Sequence, residues 1–219
     1  MTPKAKIFVV DDHPLVRESL TSLIHQSPDL TVCGETATAQ GVIDEVSRTK
    51  PDLAIIDISL GASSGIDLIR MLREQFPEIK IIVLSMHDER VYAERAMRSG
   101  ARGYIMKSES TGKIIDAIHE VLRGGVYLST ELTNHFAKKF VSTPAYSTAG
   151  GVDQLSDREL EVFQLMGQGY ETRQIAETLN VNIKTVQTYC TRIKDKLRLS
   201  NGSELLHEAM RWRESVKSG

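Results

Sequence analysis

Five short apolar runs recur along the first 127 residues: KIFVV at 6–10, LTVC at 30–33, LAII at 53–56, KIIVL at 80–84 and GYI at 103–105. Runs this continuous predict strands buried on both faces. The stretches between them, 14–26, 39–49, 65–75, 89–99 and 111–123, carry apolar residues at helical spacing and predict amphipathic helices. Strands that alternate with helices close into a parallel sheet covered on both sides. The expected fold is α/β, a doubly wound five-stranded parallel sheet. Its ligand site should lie beyond the carboxyl ends of the strands.

The pattern changes after residue 127. Leu132, Phe136 and Phe140 recur every four residues and predict a helix at the end of the first domain. The following STPAYSTAGG (142–151) is rich in Ser, Thr, Gly and Pro and reads as a flexible linker. From 153 onward the periodicity is helical throughout. Ser156-Asp-Arg-Glu159 is a capping-box pattern that opens a helix, with Gly167 or Gly169 to close it. Thr172 is placed to cap 173–179, Asn182 to cap 183–198, and Asn201-Gly-Ser-Glu204 to open a last helix. The organisation expected is an α/β domain over 1–127, a linker over 128–152 and a small all-α domain over 153–219.

Composition narrows the class. The 219 residues are 41% hydrophobic and 26% charged, ordinary for a soluble globular chain. No apolar run approaches the ~20 residues of a spanning helix, and the N-terminus lacks a signal-peptide apolar core. Cys33 and Cys190 lie far apart in unlike contexts and suggest neither a disulfide framework nor a zinc site. A reducing cytoplasm is the expected location, with no membrane partner. The net charge of −2 hides a local asymmetry. Within 182–198, Lys184, Arg192, Lys194, Lys196 and Arg198 face only Asp195. The placement of charge, rather than its total, points to nucleic acid.

Candidate chemistry gathers at the strand ends. Asp11 and Asp12 follow the first strand and Asp57 the third, and those two strands are neighbours in a doubly wound sheet. Carboxylates sharing one crevice suit a hard, oxygen-loving cation such as Mg2+. Ser85 follows the fourth strand and Lys107 the fifth. A carboxylate nucleophile, a divalent ion, a hydroxyl and an ammonium are the equipment of phosphoryl transfer. A lone strand-end Asp is usually a turn or helix cap, and Asp12 before His13-Pro14 fits that role too. The constellation carries the signal, and His13-Pro14 reads as the turn into the next helix.

VVDDHPLVRESL, DLAIIDISL with Gly65 eight residues after Asp57, VLSMHDE and GARGYIMKS together resemble a response-regulator receiver domain, flavodoxin-like in fold, over about residues 5–125. The resemblance implies that Asp57 accepts a phosphoryl group from a sensor histidine kinase. It implies Mg2+ bound directly by Asp12, largely through water by Asp11, and also by Asp57 and the Ser59 backbone carbonyl. Ser85 would hydrogen-bond the phosphoryl group, Lys107 would pair with it, and Tyr104 would be an aromatic switch that turns inward alongside Ser85. The plain alternative for Tyr104 is a half-buried strand tyrosine. Where the family usually has Met-Pro after the acceptor, this chain has Leu60-Gly61, which predicts a looser loop.

In the second domain, RQIAETLNVNIKTVQTYCTRIKDKL gives a short helix, a turn at 179–182 and a longer helix. Ile175, Ala176 and Leu179 would face inward on the first. Ile183, Val186, Tyr189 or Cys190, Ile193 and Leu197 would form the buried stripe of the second. Lys184, Gln187, Thr188, Thr191 and Arg192 remain outside, as on the major-groove helix of a helix-turn-helix. A basic helix face alone is more often a solvated surface.

The wider stretch LSDREL…KDKL closely resembles the LuxR-type helix-turn-helix of NarL/FixJ response regulators over about 153–215. Glu159, Gly169, Ile175, Ala176, Leu179, Thr185, Val186, Lys196 and Leu197 all stand on its pattern. Gln187, Tyr189 and Arg192 depart from the usual Lys, His and Asn. The resemblance implies Gln187, Thr188 and Thr191 against bases and Lys184, Thr185 and Arg192 nearer phosphates of promoter DNA. Leu205, Leu206, Ala209, Met210, Trp212 and Val216 would mostly close the small core. The same last helix would supply a homodimer contact on phosphorylation. Two other readings compete: a phosphate-insensitive DNA-binding regulator whose receiver only dimerises, and a Mg2+-dependent hydrolase passing through an aspartyl-phosphate at Asp57.

Overall fold

The computed structural model describes residues 3–61, 63–142 and 151–218. It divides into two compact units on either side of the Val141–Ser142 bond. In the first, β1 (Ala5–Val10), β2 (Leu30–Thr36), β3 (Leu53–Ile56), β6 (Lys80–Ser85) and β7 (Gly103–Met106) form one sheet. Its order is β2-β1-β3-β6-β7 and every pairing is parallel. The helices α1 (Pro14–His25), α2 (Val42–Thr49), α3 (Gly65–Gln75), α4 (Glu89–Ser99) and α5 (Thr111–Leu122) alternate with these strands. The doubly wound α/β reading is therefore the observed fold.

Alternation along the strands sorts the core into two layers. Ile7, Val9, Leu53, Ile55, Ile82, Leu84 and Ile105 pack with Leu20 and Ile24 of α1 and with Ile114, Ala117, Ile118 and Val121 of α5. Phe8, Val10, Ala54, Ile56, Ile81 and Val83, equally buried, point to the opposite face. The strands have no polar face to spare, so polar chemistry is confined to their ends.

Two small elements escaped the sequence pattern. β4 (Ser59–Leu60) and β5 (Ser63–Ser64) form an antiparallel hairpin directly after β3. At Leu60-Gly61, where a looser loop is expected, Leu60 is buried and Gly61 takes the left-handed φ of +56°. The second element is a strap at Tyr127, whose carbonyl accepts from Tyr104 N at 3.0 Å and whose N–H donates to Arg102 O at 2.9 Å. It leads into α6 (Thr130–Ser142), where Leu132 is buried and Phe136 half-buried; the Phe140 side chain and residues 143–150 of the expected linker lie outside the described residues.

The second unit comprises a 3-10 turn at Val152–Gln154 and the helices α7 (Asp157–Gly167), α8 (Thr172–Thr178), α9 (Ile183–Leu197) and α10 (Gly202–Ser218). Ser156 and Glu159 complete their capping box. The Glu159 carboxylate also takes Lys196 Nζ at 2.6 Å, tying α7 to the far end of α9. Although burial alone would raise its pKa, that ammonium and the Ser156 cap hold Glu159 below the usual glutamate range. Gly167 and Gly169 divide their work. Gly169, at φ +90°, turns the chain after α7, whereas a Cβ on Gly167 would come within 2.6 Å of Ala209 O on α10. Asn182 caps α9 through Thr185 N, and Asn201 accepts from Glu204 N at 3.0 Å.

Three expectations need correction. Glu171, not Thr172, is the N-cap of α8, because Gln174 three residues on completes a capping box with it. Ile183 opens α9 on the surface at 44% exposure instead of joining the buried stripe, since only Val186 and Ile193 reach the centre. Leu206 and Met210 likewise stay exposed on α10, where Leu205 and Ala209 are the buried pair. Among the described residues no helix is long and apolar enough to cross a membrane.

The hairpin and α3 leave no room beneath them. A Cβ on Gly65 would collide with the Asp57 carbonyl oxygen and sit 2.8 Å from Ile58 Cα. Gly65→Ala should destabilise the first unit by about 3 kcal/mol, the range of forced overpacking. Gly112→Ala in α5, with open space around it, should be neutral or slightly stabilising. Urea denaturation of both variants checks this: equal midpoints would show that the acceptor loop is free to yield.

Candidate functional site

β1 and β3 lie side by side with Val10 opposite Ile56, so the next residues, Asp11 and Asp57, emerge together. Asp57 N donates to Val10 O at 2.8 Å and Asp11 N to Thr36 O at 3.1 Å, which fixes both backbones at the sheet edge. Lys107 follows β7, its own N–H held by Ser85 O at 2.8 Å. Its ammonium lies 2.7 Å from Asp11 Oδ2 and 2.8 Å from Asp57 Oδ2. The two carboxylates are nearly sealed, Asp11 at 1% and Asp57 at 3% exposure.

Burial dominates the electrostatics. Desolvation pushes the Asp57 carboxyl up to about 6 and the Asp11 charge adds to the rise, while Lys107 opposes it. Burial would also favour a neutral Lys107, but the two carboxylates outweigh it and the ammonium is held above the usual lysine range. Asp12 is less enclosed. Its Oδ2 accepts from Gly61 N at 3.2 Å, the contact that the left-handed glycine provides, and its Oδ1 lies 2.6 Å from His13 Nδ1. His13 does precede the first turn of α1, and its N–H donates to Asp11 Oδ1 at 2.9 Å. Potential ligand atoms of Asp11, Asp12, His13 and Asp57 all lie within 4.8 Å of one another. Three carboxylates in that space are a donor set suited to a hard divalent cation.

The remaining receiver residues join this cluster through one residue that the sequence reading missed. His87 donates its N–H to Ser85 Oγ at 3.1 Å, and its ring Nε2 is 2.6 Å from Ser59 Oγ. Its carbonyl accepts from Tyr104 Oη at 3.1 Å, and its ring leans on Tyr92 with centroids 4.7 Å apart. Tyr104 is 1% exposed, so it is not the half-buried strand tyrosine of the plain reading. Burial holds its hydroxyl far above the usual tyrosine range. Ser129 adds a further link: it donates to Glu89 at the start of α4 (2.6 Å) and accepts from Leu132 N in α6 (3.0 Å). The contacts of His87 with Ser59 and Tyr104, and of Ser129 with Glu89, carry no sequence signal because the partners are distant in the chain. Ser129 as the N-cap of α6, by contrast, is a local pattern that the sequence reading passed over.

In the second unit, α8 and α9 are joined by a turn at Asn180, φ +51°. Lys184, Gln187, Thr188, Thr191 and Arg192 are all exposed on α9, while Thr185 is half-buried with its hydroxyl on Asn182 Oδ1. Thr188 and Thr191 donate their hydroxyls to Lys184 O (2.9 Å) and Gln187 O (3.1 Å). Their outward valence is thus a pair of acceptor lone pairs and a methyl group.

A family model described as the response regulator receiver domain matches residues 7–119, and one for bacterial regulatory proteins of the luxR family matches 153–209. The oxygen regulatory protein NreC of Staphylococcus aureus is 34% identical over 210 residues, covering 94% of this chain and 97% of that protein. The chain belongs to the response regulators. It is a phosphorylation-controlled, DNA-binding transcription regulator of the NarL/FixJ type rather than an enzyme, which removes the hydrolase reading. A LuxR-family two-component response regulator from Aurantimonas sp. SI85-9A1 is 32% identical, with a TM-score of 0.59 over 64% of this chain and 99% of that one. RcsB of Salmonella enterica serovar Typhimurium, bound to promoter rprA with the phosphomimetic BeF3-, gives 0.59 at 24% identity over 94% and 98%, a likeness of fold alone.

The pH response of this response regulator follows from Asp57. Its folded pKa is raised, from 3.8 to about 6, so its favourable contribution is present below pH ~4 and is lost as pH rises through 6. Without divalent cations, the stability gap between Asp57→Asn and wild type should therefore move in the variant's favour from pH 4 to pH 7. The ceiling is about 3 kcal/mol, the worth of that shift. Denaturation curves at the two pH values measure it, and a gap that does not move would mean Asp57 is solvated.

Proposed function

We propose that Asp57 accepts a phosphoryl group from a sensor histidine kinase and that this switches the LuxR-type domain's dimerisation or promoter binding. The observation that supports it best is Lys107, whose one ammonium pairs with both Asp11 and Asp57 at the sheet's carboxyl edge. The Asp57 carboxylate attacks phosphorus, the bond from phosphorus to the kinase imidazole breaks, and the imidazole leaves with the bonding pair. Asp11, Asp12, Asp57 and the Ser59 carbonyl would hold Mg2+, which would supply positive charge to offset that of the carboxylates and the incoming phosphoryl group. Lys107 turns from the carboxylate pair to a phosphoryl oxygen. Ser85 offers its hydroxyl to another oxygen, and the Tyr104–His87 contact responds to that movement.

The DNA side follows the exposed face of α9. Gln187, Thr188 and Thr191 address base edges, with Lys184, Thr185 and Arg192 against the backbone. Gln187 suits adenine, whose N7 and N6 it can bridge. The segment 128–152, which contains α6, joins the receiver (1–127) to the DNA-binding domain (153–219), and the working form is a cytoplasmic protein that dimerises on phosphorylation.

A site from randomised-sequence selection allows the decisive titration. A small phosphoryl donor with Mg2+ should tighten wild-type binding at least ~5-fold and leave Asp57→Asn unmoved. Identical affinities for the two proteins, with and without donor, would remove the switch. Selection with Gln187→Ala should relax one A·T position, by about 1–3 kcal/mol against the wrong base. A preference unchanged at every position would exclude Gln187 from base reading.

A further inference from the structure

Ile183 is an apolar side chain that the fold leaves without a role. It is the first residue of α9, directly after the Asn182 cap, and it is 44% exposed. Isolated surface isoleucines are common and need no explanation. This one stands at the end of the helix that, in a helix-turn-helix, meets the base edges. It also lies one turn before Gln187 and shares its face, since residues four apart on a helix are stacked along the axis. Around it runs a shallow groove lined by Arg173, Ala176, Val181 and Lys184, with Glu177 paired to Arg173 at 3.1 Å. An apolar floor of Ala176, Val181 and Ile183 beside the Lys184 ammonium, with the Arg173–Glu177 pair also on its rim, matches a duplex: a phosphate at Lys184 and an apolar atom of the base edge on the floor. The major groove presents one such atom, the C5 methyl of thymine.

We propose that Ile183 is a specificity-determining residue that covers a thymine methyl within about two base pairs of the position addressed by Gln187. This rests on the DNA-binding reading above and deepens it. Gln187 distinguishes by hydrogen bonds to adenine, and Ile183 adds a reading by shape at the next step of the groove. The two Thr hydroxyls that follow are already committed as donors to their own helix. Methyl contact is therefore a substantial part of what this face can use for discrimination.

The test removes the methyl from the DNA, which leaves the fold of the protein untouched. A site is selected from random sequence with the full-length wild-type protein, and each thymine is replaced in turn by deoxyuridine. One replacement should weaken wild-type binding by about fourfold, the worth of burying one methyl. That same replacement should be silent for Ile183→Ala and for Ile183→Ser, and nearly intact in effect for Ile183→Val. Circular dichroism of the variants should match wild type, because the residue is on the surface. A site that is selected but indifferent to every deoxyuridine overturns the assignment of Ile183 and leaves the DNA-binding reading standing. So does a methyl effect of equal size in Ile183→Ala. Failure to enrich any sequence would overturn both.

Discussion

Everything in the first unit is arranged around one electrostatic problem, the two nearly dry carboxylates of Asp11 and Asp57 held at adjacent strand ends. Burial raises the Asp57 pKa, and the neighbouring Asp11 charge adds to the rise. Lys107 is the protein's own answer, a single cation shared by both. Its neutralisation is incomplete, as the elevated Asp57 pKa records. A site in that state gains from additional positive charge. The same features that make the cluster costly to fold make it receptive to a divalent ion and then to a phosphoryl group.

The fold supplies the precision this requires. The buried strand interiors are largely apolar, so Asp11, Asp57 and Lys107 sit one residue beyond a hydrogen-bonded strand end and Ser85 at its last position. Gly65 closes the loop from behind, and the buried Leu60 with the left-handed Gly61 closes it from the front. A proline at position 61 could not have offered its N–H to Asp12. The departure from the usual family pair therefore exchanges stiffness for a hydrogen bond at the acidic cluster.

Much of this was legible in the sequence, for identifiable reasons. Strand interiors announce themselves by continuous hydrophobicity, and Asp11, Asp57, Ser85 and Lys107 are positioned by backbone register alone, so pattern and order suffice to group them. Asn182 and Ser156 were legible because capping is a local contest among a few backbone donors. Thr172 misled for the same reason: Glu171 with Gln174 offers a reciprocal pair one residue earlier, and reciprocity outweighs hydroxyl preference. Ile183 misled because periodicity cannot say where a helix leaves the core. The contacts of His87 with Ser59 and Tyr104, of Ser129 with Glu89 and of the Tyr127 strap were invisible. Their partners are backbone atoms or residues far away in the chain, and no spacing rule encodes those.

Those invisible contacts determine what a change at the acceptor can reach. His87 touches Ser59, Ser85 and Tyr104 by three different atoms, so it cannot be displaced without disturbing all three. Tyr104 shares a backbone hydrogen bond with Tyr127, and two residues later Ser129 ties α4 to the start of α6. On the proposed function, a phosphoryl group on Asp57 that drew Ser85 and Lys107 towards it would act at both strands that hold this chain of contacts, β6 and β7. Its leverage is the difference between its contacts with the two arrangements, and nothing more. The links are hydrogen bonds of 2.6 to 3.1 Å that join the half-buried His87, Tyr127, Ser129 and Glu89 to the fully buried Ser85 and Tyr104. They make α6, through Ser129, the far end of a run of contacts that starts beside the acceptor.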